Sequence, residues 1–388
     1  MNRSREAVIA GIGQTTYRRR HQRSLGALIG EATRAALGDA GLEAAQIDTV
    51  LTEGSTSPIS FPIDRFATTF GFSNLRHHGY FGTGGSGLFY AVLQAAMLIR
   101  QGMSSGAVVY FGLDWGSQPA GPYAYHTKFP AKQLWEAPCG FFGQPVYFAA
   151  MARRYQLAFD LDEQAMVEGF ADFALACRHN ATRNPTSQMT TALDREAYLR
   201  SRPIADPLRL YDCCLVSDGA GCLVMLPAER CAGRGVRLLG GAYREESVDE
   251  EGFFSQSRGY LAMMAARAAS RAAFDSAGVS LADDVDFVNV YDCFTISALL
   301  QLEAIGWCPP GQAIAACRDG ATRTAGTRPV NTHGGLLSNG YLLGFNHLLE
   351  AVRQLRGEAG EGQVADAEVG VVTASPSRHH TTLVLGAA

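Results

Sequence analysis

Small and apolar residues recur at helical spacing in two widely separated stretches, and the two stretches match. Ala32-Thr33-Arg34-Ala35-Ala36-Leu37-Gly38-Asp39-Ala40-Gly41-Leu42 returns as Ala269-Ser270-Arg271-Ala272-Ala273-Phe274-Asp275-Ser276-Ala277-Gly278-Val279. In each copy the periodicity predicts a helix, and the glycine predicts its stop at the first position past the C-cap. A β-branched run follows: Ile47-Asp48-Thr49-Val50 in the first copy, Val285-Asp286-Phe287-Val288 in the second. Later, glycine-rich turns precede the helical patterns Leu88–Arg100 and Phe345–Leu355, and Val108–Phe111 and Val371–Thr373 read as the buried strands after them. Alternating strands and helices predict an α/β chain of two pseudo-repeated halves, 1–232 and 233–388, with mainly parallel sheets and the glycine-started helices sandwiched between them. Residues 115–207 have no counterpart in the second half and read as a large cap, rich in aromatics such as Trp115, Tyr123, Tyr125, Phe129 and Trp135.

Composition narrows the function classes. The 388 residues are 47% hydrophobic and carry a net charge of −4, and no run of like charge exceeds Arg18-Arg19-Arg20. That pattern argues against nucleic acid. The apolar stretch Leu88–Ile99 is shorter than the roughly 20 residues that span a bilayer, and the start of the chain is too weakly apolar for a signal peptide. Nine cysteines without a CxxC pattern argue against a disulfide framework or a zinc ribbon, so a cytoplasmic location is expected. The adjacent pairs His77-His78 and His379-His380 point to opposite faces of any strand they occupy, and no metal site is expected. Gly82-Thr83-Gly84-Gly85-Ser86-Gly87 satisfies the dinucleotide GxGxxG spacing. The stretch before it, Arg76–Tyr80, does not read as a buried strand, and a dinucleotide-dependent oxidoreductase is set aside.

Several blocks in one order carry a resemblance over essentially the whole chain. They are Val8–Gly13, Arg178-His179-Asn180-Ala181 with Asn184-Pro185, Asp206-Pro207-Leu208, Asp212-Cys213-Cys214, Ser217-Asp218-Gly219-Ala220, and Gly334 through Gly344. The chain resembles the thiolase superfamily, in particular its sterol-carrier-protein-type branch. The resemblance implies the five-layered αβαβα thiolase fold, with the cap inserted in the first half, and a homodimer.

Thiolase chemistry needs a cysteine nucleophile and a histidine that activates it. Aligned on Ser86-Gly87, the nucleophile position holds Gly84. The block that ordinarily holds the histidine reads Gly340-Tyr341-Leu342, the block after the repeated strand reads Tyr291-Asp292-Cys293-Phe294, and the C-terminal loop that would hold a second cysteine reads Ser375–His380. Tyrosines in two of these blocks resemble the thiolase-like aldolases of steroid side-chain degradation. The implied reaction is retro-aldol cleavage of a β-hydroxyacyl-CoA, of steroid or bile-acid side-chain type, into a ketone or aldehyde and a short acyl-CoA. It needs a base for the β-hydroxyl proton and stabilisation of an enolate, but no nucleophile.

Tyr341 and Tyr291 are the candidate proton-handling pair. A tyrosine acting as base needs its pKa lowered from about 10, and His333, Arg378, His379 and His380 are the candidate sources. Asp292 either holds Tyr291 or caps a helix. His333 is open between catalytic, oxyanion and structural roles, and one of His379 and His380 is assigned to the site. Gly84, Gly85, Ser86, Cys293, Gly335 and His380 complete the expected substrate and oxyanion region, with Cys293 read as a small packing residue. Coenzyme A enters as the substrate's thioester, with Lys128, Lys132, Arg178 and Arg183 of the cap as possible contacts; no bound cofactor is expected. The resemblance implies zinc only in a partner, a zinc-ribbon and OB-fold protein such as the tail of an enoyl-CoA hydratase. The alternatives are a cysteine-independent Claisen-type acyltransferase and a non-catalytic acyl-CoA or sterol-binding subunit.

Overall fold

A computed structural model describes residues 6–54, 61–82, 84–119, 121, 130, 132–231, 233–246, 263–375 and 378–388. Thr83 of the glycine turn, Tyr123, Tyr125, Lys128 and Phe129 of the cap, and Pro376 and Ser377 of the C-terminal loop lie outside the described residues.

The first half runs β1 (Ala7–Gln14), α1 (Leu25–Asp39), β2 (Thr49–Glu53), α2 (Ile63–Phe70), β3 (His77–Phe81), α3 (Gly84–Arg100) and β4 (Ala107–Asp114). The cap follows, built on α4 (Gln144–Ala158) and α5 (Glu163–Ala181), with a small hairpin of β5 (Pro203–Ala205) and β6 (Leu208–Arg209). β7 (Asp218–Pro227) returns to the sheet. The second half runs β8 (Val236–Glu245), α6 (Met264–Ala277), β9 (Phe287–Asn289), α7 (Thr295–Ala304), α8 (Phe345–Leu355), β10 (Val369–Ala374) and β11 (His379–Gly386).

Local chemistry sets the repeated helices. Ser24 caps the start of α1 by accepting from the Ala27 N–H, and α6 ends at Gly278, whose φ of +65° lets its N–H reach back to the last carbonyls. α1 packs on β1, β7 and β4, and α6 packs on β8 and β11, forming two outer layers. α3 and α8 lie inside these layers, each touching strands of both halves. Leu88, Phe89, Val92 and Ile99 of α3 and Leu348, Leu349 and Val352 of α8 are fully buried there. Burial of side chains this size stabilises the fold by about 1.5–3 kcal/mol apiece.

The strand order is β3-β2-β4-β7-β1-β8-β11-β10-β9. The β1–β8 contact that joins the halves covers only Val8↔Arg237 and Ile9↔Val236. The strands are not mainly parallel, contrary to the expectation. Only β2–β3, β2–β4 and β9–β10 are parallel, whereas β4–β7, β7–β1, β1–β8, β8–β11 and β11–β10 are antiparallel. The reason lies in the connections: only four residues separate the end of β10 from the start of β11, and β4 reaches its antiparallel neighbour β7 through the whole cap. The stretch before the glycine turn is a strand after all, β3, but a half-exposed one at the edge of the sheet.

Candidate active site

Tyr291 follows β9 directly, and its backbone is held from several sides. Its carbonyl accepts from Gln301 and Ser297 of α7, and the preceding Val290 N–H donates to Asn331 Oδ1 at 2.8 Å. Tyr341 lies on the loop into α8, where its N–H donates to Ser217 Oγ at 2.9 Å and its ring stacks on Trp115 with centroids 5.2 Å apart. The two phenolic oxygens, fifty positions apart in the chain, are 2.8 Å from each other. Both residues are buried, with 6% of Tyr291 and 8% of Tyr341 exposed.

The start of α3 closes on the same point. A Cβ on Gly85 would lie 3.0 Å from the Tyr291 ring and 2.2 Å from the Leu343 carbonyl oxygen, so only glycine permits this approach. Gly84 differs: its φ is +56° and a Cβ there would meet no heavy atom of the described residues within 4 Å, marking open space at the inferred nucleophile position. The Gly84 N–H donates to the buried carboxylate of Glu53, at the end of β2, at 2.8 Å. Ser86 is buried, and its carbonyl accepts from Thr381 Oγ1 at 2.9 Å, tying α3 to β11.

Asp292 acts on a helical turn. Its carboxylate accepts from the N–H groups of Leu336 and Leu337, at the start of the turn Gly335–Ser338, and Oδ1 is 3.3 Å from His347 Nε2. A Cβ on Gly335 would sit 1.9 Å from Asp292 Oδ2, which explains glycine there. Of the two readings for Asp292, the described bonds are those of the helix cap, and they join the Tyr291 segment to the Tyr341 loop. Cys293 has its Sγ 3.5 Å from Ser297 Oγ, and burial pushes its thiol well up, away from thiolate character.

Behind Tyr291 lies a buried polar cluster. His333 Nε2 is 3.2 Å from Asn346 Nδ2, and the His333 and His347 rings meet edge to face at 4.8 Å. Among the described residues, His333 Nδ1, His347 Nδ1, Asn331 Nδ2 and Asn346 Oδ1 find no hydrogen-bond partner. Burial holds the His333 pKa well below its usual value, with His347 and Arg353 adding to the effect, so His333 is neutral at physiological pH.

His379 and His380 belong to different surroundings. His379 Nδ1 is 3.4 Å from both Tyr243 Oη and Glu245 Oε1, and Arg378 pairs with the same carboxylate at 3.4 Å. His380 bonds the Ser375 carbonyl at 2.8 Å and Thr382 Oγ1 at 3.2 Å, and burial lowers it to about 4. The expected lowering of Tyr291 is absent. Burial first, then Tyr341 and Cys293, raise it well above 10, so Tyr291 keeps its proton.

Sequence reasoning missed Glu53, Gln301, Asn289, Asn331, Asn346 and His347. The available signal was the adjacent polar pair Asn346-His347 in the first turn of α8. Among the described residues no group of three His, Cys, Asp or Glu side chains is placed to hold a metal ion, and no helix is long and apolar enough to cross a membrane.

Residues 247–387 match the family model described as thiolase C-terminal domain-like. A steroid side-chain-cleaving aldolase of Thermomonospora curvata is 32% identical over 98% of both chains. A 17-hydroxy-3-oxo-4-pregnene-20-carboxyl-CoA lyase of Mycobacterium tuberculosis is 31% identical over 99% of this chain and all of its own. An acetyl-CoA acetyltransferase of Methanothermobacter thermautotrophicus is 30% identical over 95% of both. Among solved structures, the Ltp2-ChsH2(DUF35) aldolase superposes with a TM-score of 0.90 at 29% identity, covering 100% of this chain and 99% of that one. The chain belongs to the thiolase superfamily and, within it, to the thiolase-like aldolases.

Proposed function

We propose that this chain cleaves a β-hydroxyacyl-CoA thioester of the steroid or bile-acid side-chain type by a retro-aldol reaction, with Tyr341 and Tyr291 as the proton-handling pair. The observation that carries the reading is the 2.8 Å contact between the two phenolic oxygens beside the open space at Gly84. Tyr341 enters the reaction as the phenolate, and its oxygen takes the β-hydroxyl proton as the bond from the α to the β carbon breaks. Its electrons pass to the thioester carbonyl, a ketone or aldehyde departs, and the enolate takes a proton back from the pair at the α carbon. The pair is unchanged after one turnover. Tyr291, held protonated by burial, donates to the Tyr341 oxygen and stabilises the negative charge it carries before the proton arrives and after the α carbon takes it. Asp292 and His347 position the two tyrosine segments, and His333 backs them as a neutral ring.

The described cysteines beside this pair, Cys214 and Cys293, are pushed upward by burial, which supports a reaction without an acyl-enzyme. For this purpose the chain divides into halves 1–232 and 233–388, the cap at 115–207 covering the substrate. The assembly proposed is a homodimer joined by a partner with a zinc ribbon and an OB-fold; the Ltp2-ChsH2(DUF35) aldolase supports a partner of the DUF35 type. Zinc belongs to that partner.

The test uses the co-expressed complex and a tertiary β-hydroxyacyl-CoA with a steroid side chain, following ketone and short acyl-CoA by mass spectrometry. Wild type is expected to release both, and Tyr341→Phe neither. A newly acylated product would instead assign the chain to acyl transfer. Silence of a folded wild-type complex would assign it to acyl-CoA binding.

A further inference from the structure

The run Arg18-Arg19-Arg20 is used by neither the fold nor the tyrosine chemistry. It lies in the loop between β1 and α1, and its backbone is fixed at several points. The buried Tyr17 donates its N–H to the Thr186 carbonyl at 3.0 Å, and its ring packs on Gly340, where an added Cβ would come within 2.5 Å of it. Arg18 and Asp218 exchange backbone hydrogen bonds of 3.3 and 2.7 Å. The buried Asp218 carboxylate is occupied by backbone donors, the N–H groups of His21 and Gly116, each at 2.8 Å. Gly116 presses on the loop so closely that a Cβ would lie 1.5 Å from the Arg19 carbonyl oxygen, and Arg20 Nε donates to the Gly116 carbonyl at 2.8 Å. The neighbour of Gly116 is Trp115, whose ring stacks on Tyr341. The arginine loop is thus fastened to the turn that carries Trp115 and to the glycine that precedes Tyr341.

All three arginines are exposed, and among the described residues none of them has an acidic partner within ion-pair distance. Three unneutralised guanidiniums on a rigid backbone repel one another, and that repulsion is relieved by a polyanion. Guanidinium is also the side-chain group best matched to phosphate oxygens.

We propose that Arg18, Arg19 and Arg20 bind the phosphate groups of the substrate's coenzyme A portion, at the rim of the site that Tyr341 lines. The proposal rests on the reading of the substrate as a CoA thioester, and it places phosphate recognition on the β1–α1 loop instead of on the basic residues of the cap. Binding energy from this remote, non-reacting end of the substrate then helps hold the reacting carbons at the tyrosines.

The experiment compares wild-type complex with the R18Q/R19Q/R20Q variant. Calorimetry measures the binding of coenzyme A itself at two salt concentrations. Kinetics are run with the acyl-CoA and with the matching N-acetylcysteamine thioester, which carries no phosphate. Coenzyme A affinity is expected to fall roughly tenfold to a hundredfold in the variant, from the loss of charge-assisted hydrogen bonds. Salt is expected to weaken binding to wild type more than to the variant. KM for the acyl-CoA is expected to rise by a similar factor, with both kinetic constants for the truncated thioester unchanged. Equal coenzyme A affinity in the two proteins overturns the proposal. So does loss of the partner from the variant complex at unchanged coenzyme A affinity, which would assign the run to a protein contact. If wild type cleaves neither thioester, the lyase reading fails, and the calorimetric comparison still decides the role of the arginines.

Discussion

The two halves of the molecule build the same feature, a glycine-rich turn that feeds a central helix, and furnish it differently. In the first half the Gly84 N–H at the head of α3 is capped by Glu53, from the end of β2, and the Gly84 position itself has no side chain. In the second half the turn at Gly335 is capped by Asp292, just beyond the counterpart strand β9, but around that cap stand Tyr291, Tyr341, His347, His333 and Asn346. Each turn ends on a carboxylate that accepts backbone N–H groups, so capping is the shared structural demand. On the proposed function, only the second half adds groups that hold and move protons, so the first half supplies space and the second half supplies chemistry.

The largest effect expected follows from that division. Tyr341→Phe and Tyr291→Phe remove a proton-handling hydroxyl while keeping the ring, and each is expected to lower kcat by roughly 10²–10⁴-fold, the usual scale of general acid–base catalysis, with KM changing far less. Glu53→Gln keeps an acceptor for the Gly84 N–H and is expected to lower kcat by less than about tenfold, with a stability loss of about 1 kcal/mol from the weakened cap. Steady-state kinetics and thermal unfolding of the three variants check this. A Glu53→Gln defect as deep as that of Tyr341→Phe would break the comparison, because the first-half carboxylate would then be moving protons too.

How much of this was legible follows the range of the interactions. The helices at Ala32 and Ala269 and the bounds of α8 were readable because periodicity and glycine stops act within a few residues. Strand direction was not readable: β7 and β11 look like any buried apolar strands, and only the cap and the short connection from β10 decide how they return. At the candidate site, Tyr291 and Tyr341 were named through the resemblance, and no local pattern says that residues fifty positions apart share a hydrogen bond. Asn289, Asn331 and Asn346 read as ordinary loop or cap residues. Their work is tertiary, since Asn289 Oδ1 accepts from the Thr332 N–H at 3.1 Å and Asn331 bonds Val290 in place of a longer strand pairing.

A pair of glycine substitutions sharpens the comparison at the level of stability. Gly335 and Gly84 both have positive φ, +65° and +56°, so alanine costs each about 1 kcal/mol of backbone strain. At Gly335 the new methyl also collides with Asp292 and disturbs its buried bonds, for a total of about 2–4 kcal/mol. At Gly84 it meets open space, so the loss stays near about 1 kcal/mol, while the methyl intrudes where substrate is proposed to sit and raises KM. Denaturant unfolding of the two variants, alongside kinetics, separates the outcomes. Equal destabilisation would mean that the first-half space is filled in solution.

The smallest effect concerns pH, at the seam where α3 of the first half meets β11 of the second. Burial lowers His380 from 6.5 to about 4. Between those values the unfolded chain binds this proton more readily than the folded one, so the histidine's contribution to stability is present above pH 6.5 and is lost as pH falls. From pH 6.5 to 5.5 the loss from this one group is about 1 kcal/mol. His380→Gln keeps a polar side chain on the strand but has no proton to gain, so its unfolding free energy is expected to fall by about 1 kcal/mol less than wild type over that interval. The neutral His333 adds a slope of the same sign that both proteins share. Identical slopes would mean that His380 opens to solvent in the folded state and that the contact of β11 with the start of α3 is looser than the Thr381–Ser86 hydrogen bond of 2.9 Å implies.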